Sequence, residues 1–267
     1  MSANQAVVAR LRAAGCVFAE DEALLLQQAA HTPAELDAMV GQRVHGLPLE
    51  QVVGWAEFCG LRILVDPGVF VPRRRSEFLV RTAVTLASAG RPVVVDLCCG
   101  TGALGLAVTA HLSAAAPGRL PVTAELHAAD IDSAAVACAR RNVEPAGGRV
   151  YQGDLFAPLP GRLRDTVTVL ICNAPYVPTA DVGLLPAEAR DHEPRTALDG
   201  GPDGLAVLRV VAAQAPRWLA DGGHLLVETS EHQAPLMAAA MLAAGLTARV
   251  RTCEESGATV VAGAHDS

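Results

Sequence analysis

The stretch Val169-Leu170-Ile171-Cys172-Asn173-Ala174-Pro175-Tyr176 constrains the fold more than any other part of this chain. An apolar run of strand type stops abruptly at Asn-x-Pro-Tyr, and such a run reads as a buried strand. In an open α/β sheet, ligands bind just beyond the C-terminal ends of the strands. Residues 173–176 therefore fall where a substrate would sit. An Asn side chain offers an acceptor oxygen and two donors. Tyr offers an aromatic wall with a polar tip. The pair suits a planar amide or amino group, and methylation of such a nitrogen is the predicted chemistry.

The flanking sequence repeats the strand-then-loop pattern. Residues 92–97 are predicted as a strand, Cys98-Cys99-Gly100-Thr101-Gly102 as a tight loop, and 103–112 as a helix. Glycines there let the backbone approach a ligand, and the free N–H groups of the helix start face it. This is less than a full Gly-x-Gly-x-x-Gly fingerprint. A second strand, 122–129, ends in Asp130-Ile131-Asp132 about 30 residues further on. An acid at that strand end accepts hydrogen bonds from ribose hydroxyls. Asp130 is assigned to ribose and Asp132 to the capping region, with Ser133 as the cap of the next helix. A third short strand leaves through Gly153-Asp154-Leu155-Phe156, and Asp154 and Leu155 are predicted to flank an adenine ring. A backbone cradle, a ribose acid and an adenine wall together specify S-adenosylmethionine better than any one of them alone. Asn173 counts among the predicted cofactor contacts as well.

Composition narrows the class. The chain has 267 residues, 51% of them hydrophobic, and a formal net charge of -7. That charge argues against a protein that coats nucleic acid, although Arg73-Arg74-Arg75 forms a local basic run. Cations at a helix start oppose its dipole, so the run hints at an acidic partner. Seven cysteines show no Cys-x-x-Cys pair, which argues against zinc and for reduced thiols in a cytoplasmic protein. The sequence shows neither a signal peptide nor an apolar stretch of membrane-spanning length. A monomer is expected.

Three parts are predicted: helices over 1–53, a β-hairpin connector over 54–74, and an α/β domain over 75–267. In the first part Val7, Val8 and Leu11 share one helical face, and Leu24, Leu25, Leu26 and Ala29 a second. Thr32 with Glu35 reads as a capping box, with Pro33 at the first helical position. In the connector, two short strands cross a Gly turn and 69–71 reads as a third extended piece. Residues 184–204 read as a long irregular segment of the kind that is often functional. Beyond it, 204–219 reads as a helix, 221–223 as a turn, 224–229 as a strand, 233–243 as a helix, and 247–264 as a closing hairpin. His192 and His224 stand without partners at ligand spacing and read as structural.

These pieces, in this order, resemble the HemK/PrmC-like protein glutamine N5-methyltransferases, which modify peptide-chain release factors. The matching segments are Asp66-Pro67-Gly68-Val69-Phe70-Val71-Pro72-Arg73, Ser76-Glu77, Asp96 through Ala103, Asp130-Ile131-Asp132, and Gly153 through Phe156. They continue with Asn173-Ala174-Pro175-Tyr176, Arg190 through Arg195, and Ala197-Leu198-Asp199-Gly200-Gly201. The resemblance implies a class I methyltransferase domain with a Rossmann-like seven-stranded sheet behind a helical substrate-recognition domain. It implies that Asn173 and the carbonyl of Ala174 accept hydrogen bonds from a glutamine amide, with Pro175 and Tyr176 completing the catalytic loop. Three departures stand out. Ala174 occupies a position that is usually Pro, Cys98 one that is usually Gly, and Arg74-Arg75 replace a Pro-acid pair. Rival readings are a nucleic-acid N-methyltransferase, a small-molecule methyltransferase and a cofactor-binding relic that serves as an interaction module.

Overall fold

A computed structural model describes residues 3–87, 91–114 and 123–266. Four helices open the chain: α1 (Ala3–Ala13), α2 (Ala19–Ala29), α3 (Pro33–Val44) and α4 (Leu49–Val53). They share an apolar cluster of Val7, Leu11, Ala19, Ala23, Leu26 and Val40. Leu24 departs from its expected face and is exposed, because α2 buries Ala19, Glu22, Ala23 and Leu26 instead. Thr32 caps α3 by accepting from Glu35 N–H at 3.1 Å. Glu35 returns to the N–H of His31, one residue before the cap, at 2.7 Å.

The hairpin of β1 (Trp55–Phe58) and β2 (Leu61–Leu64) follows. Residues 69–71 form no strand, since no neighbouring strand pairs with them. Val69 and Val71 are nevertheless buried. A 3-10 turn at Arg74–Ser76 then runs into α5 (Glu77–Leu86).

The rest of the chain builds a seven-stranded sheet. Its strands are β3 (Val93–Leu97), β4 (Glu125–Asp130), β5 (Arg149–Gln152), β6 (Val167–Cys172), β7 (Leu219–Thr229), β8 (Arg249–Cys253) and β9 (Ala258–His265), in the spatial order β5-β4-β3-β6-β7-β9-β8. The pairs β3–β4, β3–β6, β4–β5 and β6–β7 are parallel, and β9 runs antiparallel to both β7 and β8. Val122, where the second strand was expected to begin, lies outside the described residues. Helices α6 (Ala103–Ser113), α7 (Ser133–Val143), α8 (Ala187–His192), α9 (Ala206–Gln214) and α10 (Ala234–Ala243) complete the fold. None of the described helices is long and apolar enough to cross a membrane.

Both sheet faces are covered, which explains the unbroken apolar strands. Val169 and Ile171 pack with α5, α6 and α7 through residues such as Leu79, Val108 and Val136. Leu170 and Cys172 pack with α9 and α10 through Leu208, Val211 and Met237. The chain leaves β3 towards β4 and β5, then returns to β6 on the other side. That reversal opens a crevice at the strand ends between β3 and β6, the place where ligands settle in such sheets.

Other expectations shift. The predicted turn at Asp221-Gly222-Gly223 lies inside β7, where Gly223 pairs with His265 of β9. The predicted helix over 204–219 ends at Gln214, and Leu219 already belongs to β7. The supposedly irregular 184–204 segment carries α8 and a 3-10 turn at Arg195–Ala197. Asp132, not Ser133, is the N-cap of α7, accepting from Ala134 N–H at 2.7 Å.

Candidate active site

A cavity of about 620 Å³ opens at the ends of β3, β4 and β6. One side is the loop after β3. Cys98 and Gly100 both take left-handed backbone, with φ of 53° and 54°. A Cβ on Gly100 would meet nothing within 4 Å, so the glycine is there for its φ and for an open face towards the cavity. Cys98 accepts the same region with a side chain attached, at a cost of about 1 kcal/mol. The loop is held by carboxylates. Gly100 N–H donates to Asp130 Oδ2 at 2.8 Å, and Asp132 N–H donates to Asp130 Oδ1 at 2.9 Å. Below the loop, fully buried Asp96 accepts from Gly105 N–H at 2.8 Å, while its Oδ1 has no partner among the described residues. Burial pushes Asp96 up to about 8, partly offset by the Gly105 hydrogen bond. Burial likewise raises Asp130, against the backbone N–H groups of Asp132, Gly100 and Ile131 that favour its charged form.

Cys98, Cys99, Gly100, Thr101 and Asp130 all line the cavity, joined by Ile131 and Asp132. Three of the predicted cofactor residues do not. Gly102 is the N-cap residue of α6 and lies so close to α7 that a Cβ would stand 2.6 Å from Val143. Asp154 is exposed beyond the edge strand β5. Leu155 has a φ of 47° and packs against the central core rather than the cavity.

The other side is the loop after β6. Asn173, Ala174, Pro175 and Tyr176 all line the cavity. Asn173 donates through Nδ2 to Ser76 Oγ at 3.4 Å. This leaves Asn173 Oδ1 as an acceptor without a partner among the described residues, and the Ala174 carbonyl is equally uncommitted. Tyr176 is anchored at both ends. Its carbonyl accepts from Gln233 Nε2 at 2.7 Å, and its hydroxyl donates to Glu228 Oε1 at 3.1 Å. Arg75 donates to that hydroxyl through Nη2 and to Glu228 Oε1 through Nε at 3.1 Å. Its guanidinium also lies over the Tyr176 ring, 5.6 Å from the centroid. Burial and the Glu228 carboxylate hold the Tyr176 phenol above the usual tyrosine range, which keeps its proton for donation.

The segment around 197–204 backs this loop. Val177 N–H donates to Leu198 O at 3.1 Å, and Gly200 N–H to Val177 O at 2.8 Å. At Gly204 a Cβ would stand 2.2 Å from the Tyr176 carbonyl oxygen, so only glycine permits the approach.

The arginine run finds its acids within the chain. Arg73 pairs with fully buried Glu193 at 2.5 Å, and Arg75 with Glu228 at 3.1 Å. Arg74 is exposed. The external acidic partner expected for this run is therefore not needed to explain two of its three members. Sequence reasoning missed Ser76, Arg75 and Glu228 as site residues. Glu228 carried a signal of its own, a charge at the end of the apolar run in β7. His192 sits beside Gly46 of the N-terminal part, where a Cβ on that glycine would lie 3.1 Å from its Nε2. Burial lowers the affinity of His224 for its second proton.

Comparison with known proteins extends this picture. Residues 60–188 match the Methyltransferase small domain family. A release factor glutamine methyltransferase of Geobacter sulfurreducens is 37% identical over 207 residues, covering 76% of this chain and 68% of that one. One from Mycolicibacterium smegmatis is 39% identical over 196 residues, covering 73% and 66%. Among solved structures, a ribosomal protein L11 methylase of Lactobacillus delbrueckii subsp. bulgaricus superposes with a TM-score of 0.53 at 14% identity, covering 77% of this chain and 86% of that one. At that identity the likeness concerns the fold, which is that of a class I methyltransferase.

Proposed function

Since the chain belongs to the release factor glutamine methyltransferase family, we propose that it transfers a methyl group from S-adenosylmethionine to the side-chain amide nitrogen of a glutamine in a peptide-chain release factor. One observation carries the reading. Asn173 and Ala174, whose Oδ1 and carbonyl have no hydrogen-bond partner among the described residues, line the same cavity as the Gly100–Asp130 cradle. The residues present suit the cofactor. Asp130 offers lone pairs to ribose hydroxyls, Gly100 offers a bare backbone face, and exposed Ile131 offers an apolar surface. When bound, the cofactor supplies an electrophilic methyl group on a sulfonium sulfur.

The protein's own part is placement and charge. An amide nitrogen is a poor nucleophile because its lone pair is delocalised into the carbonyl. Asn173 Oδ1 and the Ala174 carbonyl each accept one of its two N–H bonds and turn the nitrogen towards the donor. The same acceptors stabilise positive charge as it builds on nitrogen. No base is needed before transfer, and the proton leaves to water afterwards. Tyr176 forms the wall along the glutamine side chain. On this reading the protein works in the cytoplasm as a monomer, on a protein partner. Its net charge of -7 supports the absence of stable nucleic-acid binding.

The test uses the whole chain with methyl-labelled S-adenosylmethionine. Release factor, nucleic acid and free glutamine are offered separately. Label is expected on a release-factor glutamine and recovered as N5-methylglutamine. Label confined to nucleic acid or to the free amino acid would overturn the proposal.

A further inference from the structure

With alanine at 174, the acceptor loop has no ring to fix φ where a proline would. Beyond the ring of Pro175, its stiffness comes from its contacts, and several of these converge on Tyr176. Glu228, 2% exposed at the end of β7, takes both the Tyr176 hydroxyl and Arg75 Nε on one oxygen. Arg75 reaches from the turn before α5, 153 residues away in sequence, to grip the same hydroxyl and cover the ring face. Glu228 itself does not line the cavity, whereas Arg75 and Tyr176 do.

We propose that Arg75 and Glu228 are positioning residues for methyl transfer, bracing Tyr176 and through it the two acceptors of Asn173 and Ala174. The link to turnover rests on the glutamine-methylating reading above, but the bracing itself does not. A half-exposed arginine on a buried carboxylate is well suited to this task. The buried acid cannot lose its cation without a penalty, so the pair holds its geometry. Arginine's planar fork serves two oxygens at once, which a lysine could not reproduce. The ring is held at its tip and over its face, and its backbone carbonyl is held by Gln233. Sliding or rotation of the loop then breaks several contacts together.

The test removes the pair without leaving an orphan charge, through the double variant Arg75→Gln/Glu228→Gln. Backbone 15N relaxation reads the loop directly. Order parameters at Asn173, Ala174 and Tyr176 are expected to fall from about 0.85 to below about 0.6. Turnover on a glutamine peptide is expected to drop about tenfold, while the dissociation constant for S-adenosylmethionine stays within about twofold. Adding Ala174→Pro to the double variant should restore order at Asn173 and Tyr176 and recover turnover, because the ring supplies the missing constraint.

Unchanged order parameters in the double variant overturn the bracing. Lost order with unchanged turnover overturns the positioning role. Cofactor affinity that falls in step with turnover overturns it as well, since the variant is then damaged generally. Should the wild-type chain methylate no glutamine, the functional reading fails, and the relaxation data on the double and triple variants still decide the bracing.

Discussion

The two halves of the cavity are held together by different means. In the cofactor half, carboxylates grip backbone amides over short stretches of chain: Asp96 holds Gly105, Asp130 holds Gly100 and Asp132, and Asp132 holds Ala134. The longest of these links spans 30 residues. In the acceptor half, side chains grip side chains across 97 residues from Ser76 to Asn173, 52 from Tyr176 to Glu228, and 153 from Arg75 to Glu228. A backbone cradle depends on φ angles and tolerates replacement of side chains, as Cys98 in a left-handed position shows. A side-chain brace depends on several residues that must change together. Divergence in the acceptor half, with Ala174 and Arg75, is therefore harder to accommodate than divergence in the cradle, because Arg75, Tyr176 and Glu228 must fit one another.

The sharpest way to break this division is Asn173→Ala, because Asn173 was expected to serve both halves. If the halves are separable, removing its acceptor raises the barrier to transfer by about 3 kcal/mol, on the order of 100-fold in turnover. Calorimetric affinity for S-adenosylmethionine should stay within about threefold over the same change. A parallel loss of affinity would merge the halves at this residue.

The same contrast explains what could be read from sequence. The cradle was legible because each of its parts is a local pattern at a strand end, and Leu97 pairs directly with Ala129, which brings the Gly loop beside Asp130. Asn173 was legible for the same reason. Arg75 and Glu228 were not, since no local pattern joins residues that meet only after the sheet is assembled. Asp154 and Leu155 misled because a strand end looks alike whether the chain then turns to the cavity or, as at Leu155, into the core. Glycines at 222 and 223 imitated a turn, yet β7 runs through them because β9 pairs with Gly223. Residues 69–71 had a strand's composition but no partner strand.

A pH titration probes the cofactor half alone. Below about pH 4, both folded and unfolded chains keep the Asp96 proton. As pH rises further, the unfolded chain releases it while the folded chain retains it up to about 8. The contribution of Asp96 to stability is therefore lost progressively over that window. Asp96→Asn keeps an acceptor for Gly105 N–H and removes the titration. Unfolding curves of the cofactor-free protein should show the variant gaining on wild type by about 2 kcal/mol between pH 5.5 and 7. A constant difference across that range would show that Asp96 is already ionised, and that the cradle is supported by charge instead of by a neutral acid.

The smallest effect belongs to Ser76, and it tests whether the acceptor half is built as finely as its geometry suggests. Ser76 is buried and accepts from Asn173 Nδ2 at 3.4 Å. That contact engages the nitrogen and leaves the oxygen free, which on the proposed function is the end that meets the glutamine amide. Ser76→Ala removes the engagement without adding bulk. A lost hydrogen bond of this kind is worth about 1 kcal/mol, or roughly fivefold in turnover. The loss should appear in kcat for the glutamine peptide, with cofactor affinity unmoved, because Ser76 acts only on the orientation of an acceptor. Ser76→Thr, which keeps the hydroxyl, should retain most of the rate. Equal losses in the two variants would mean that packing at Ser76, not its oxygen, aligns Asn173, and the acceptor half would then be held by shape more than by hydrogen bonds.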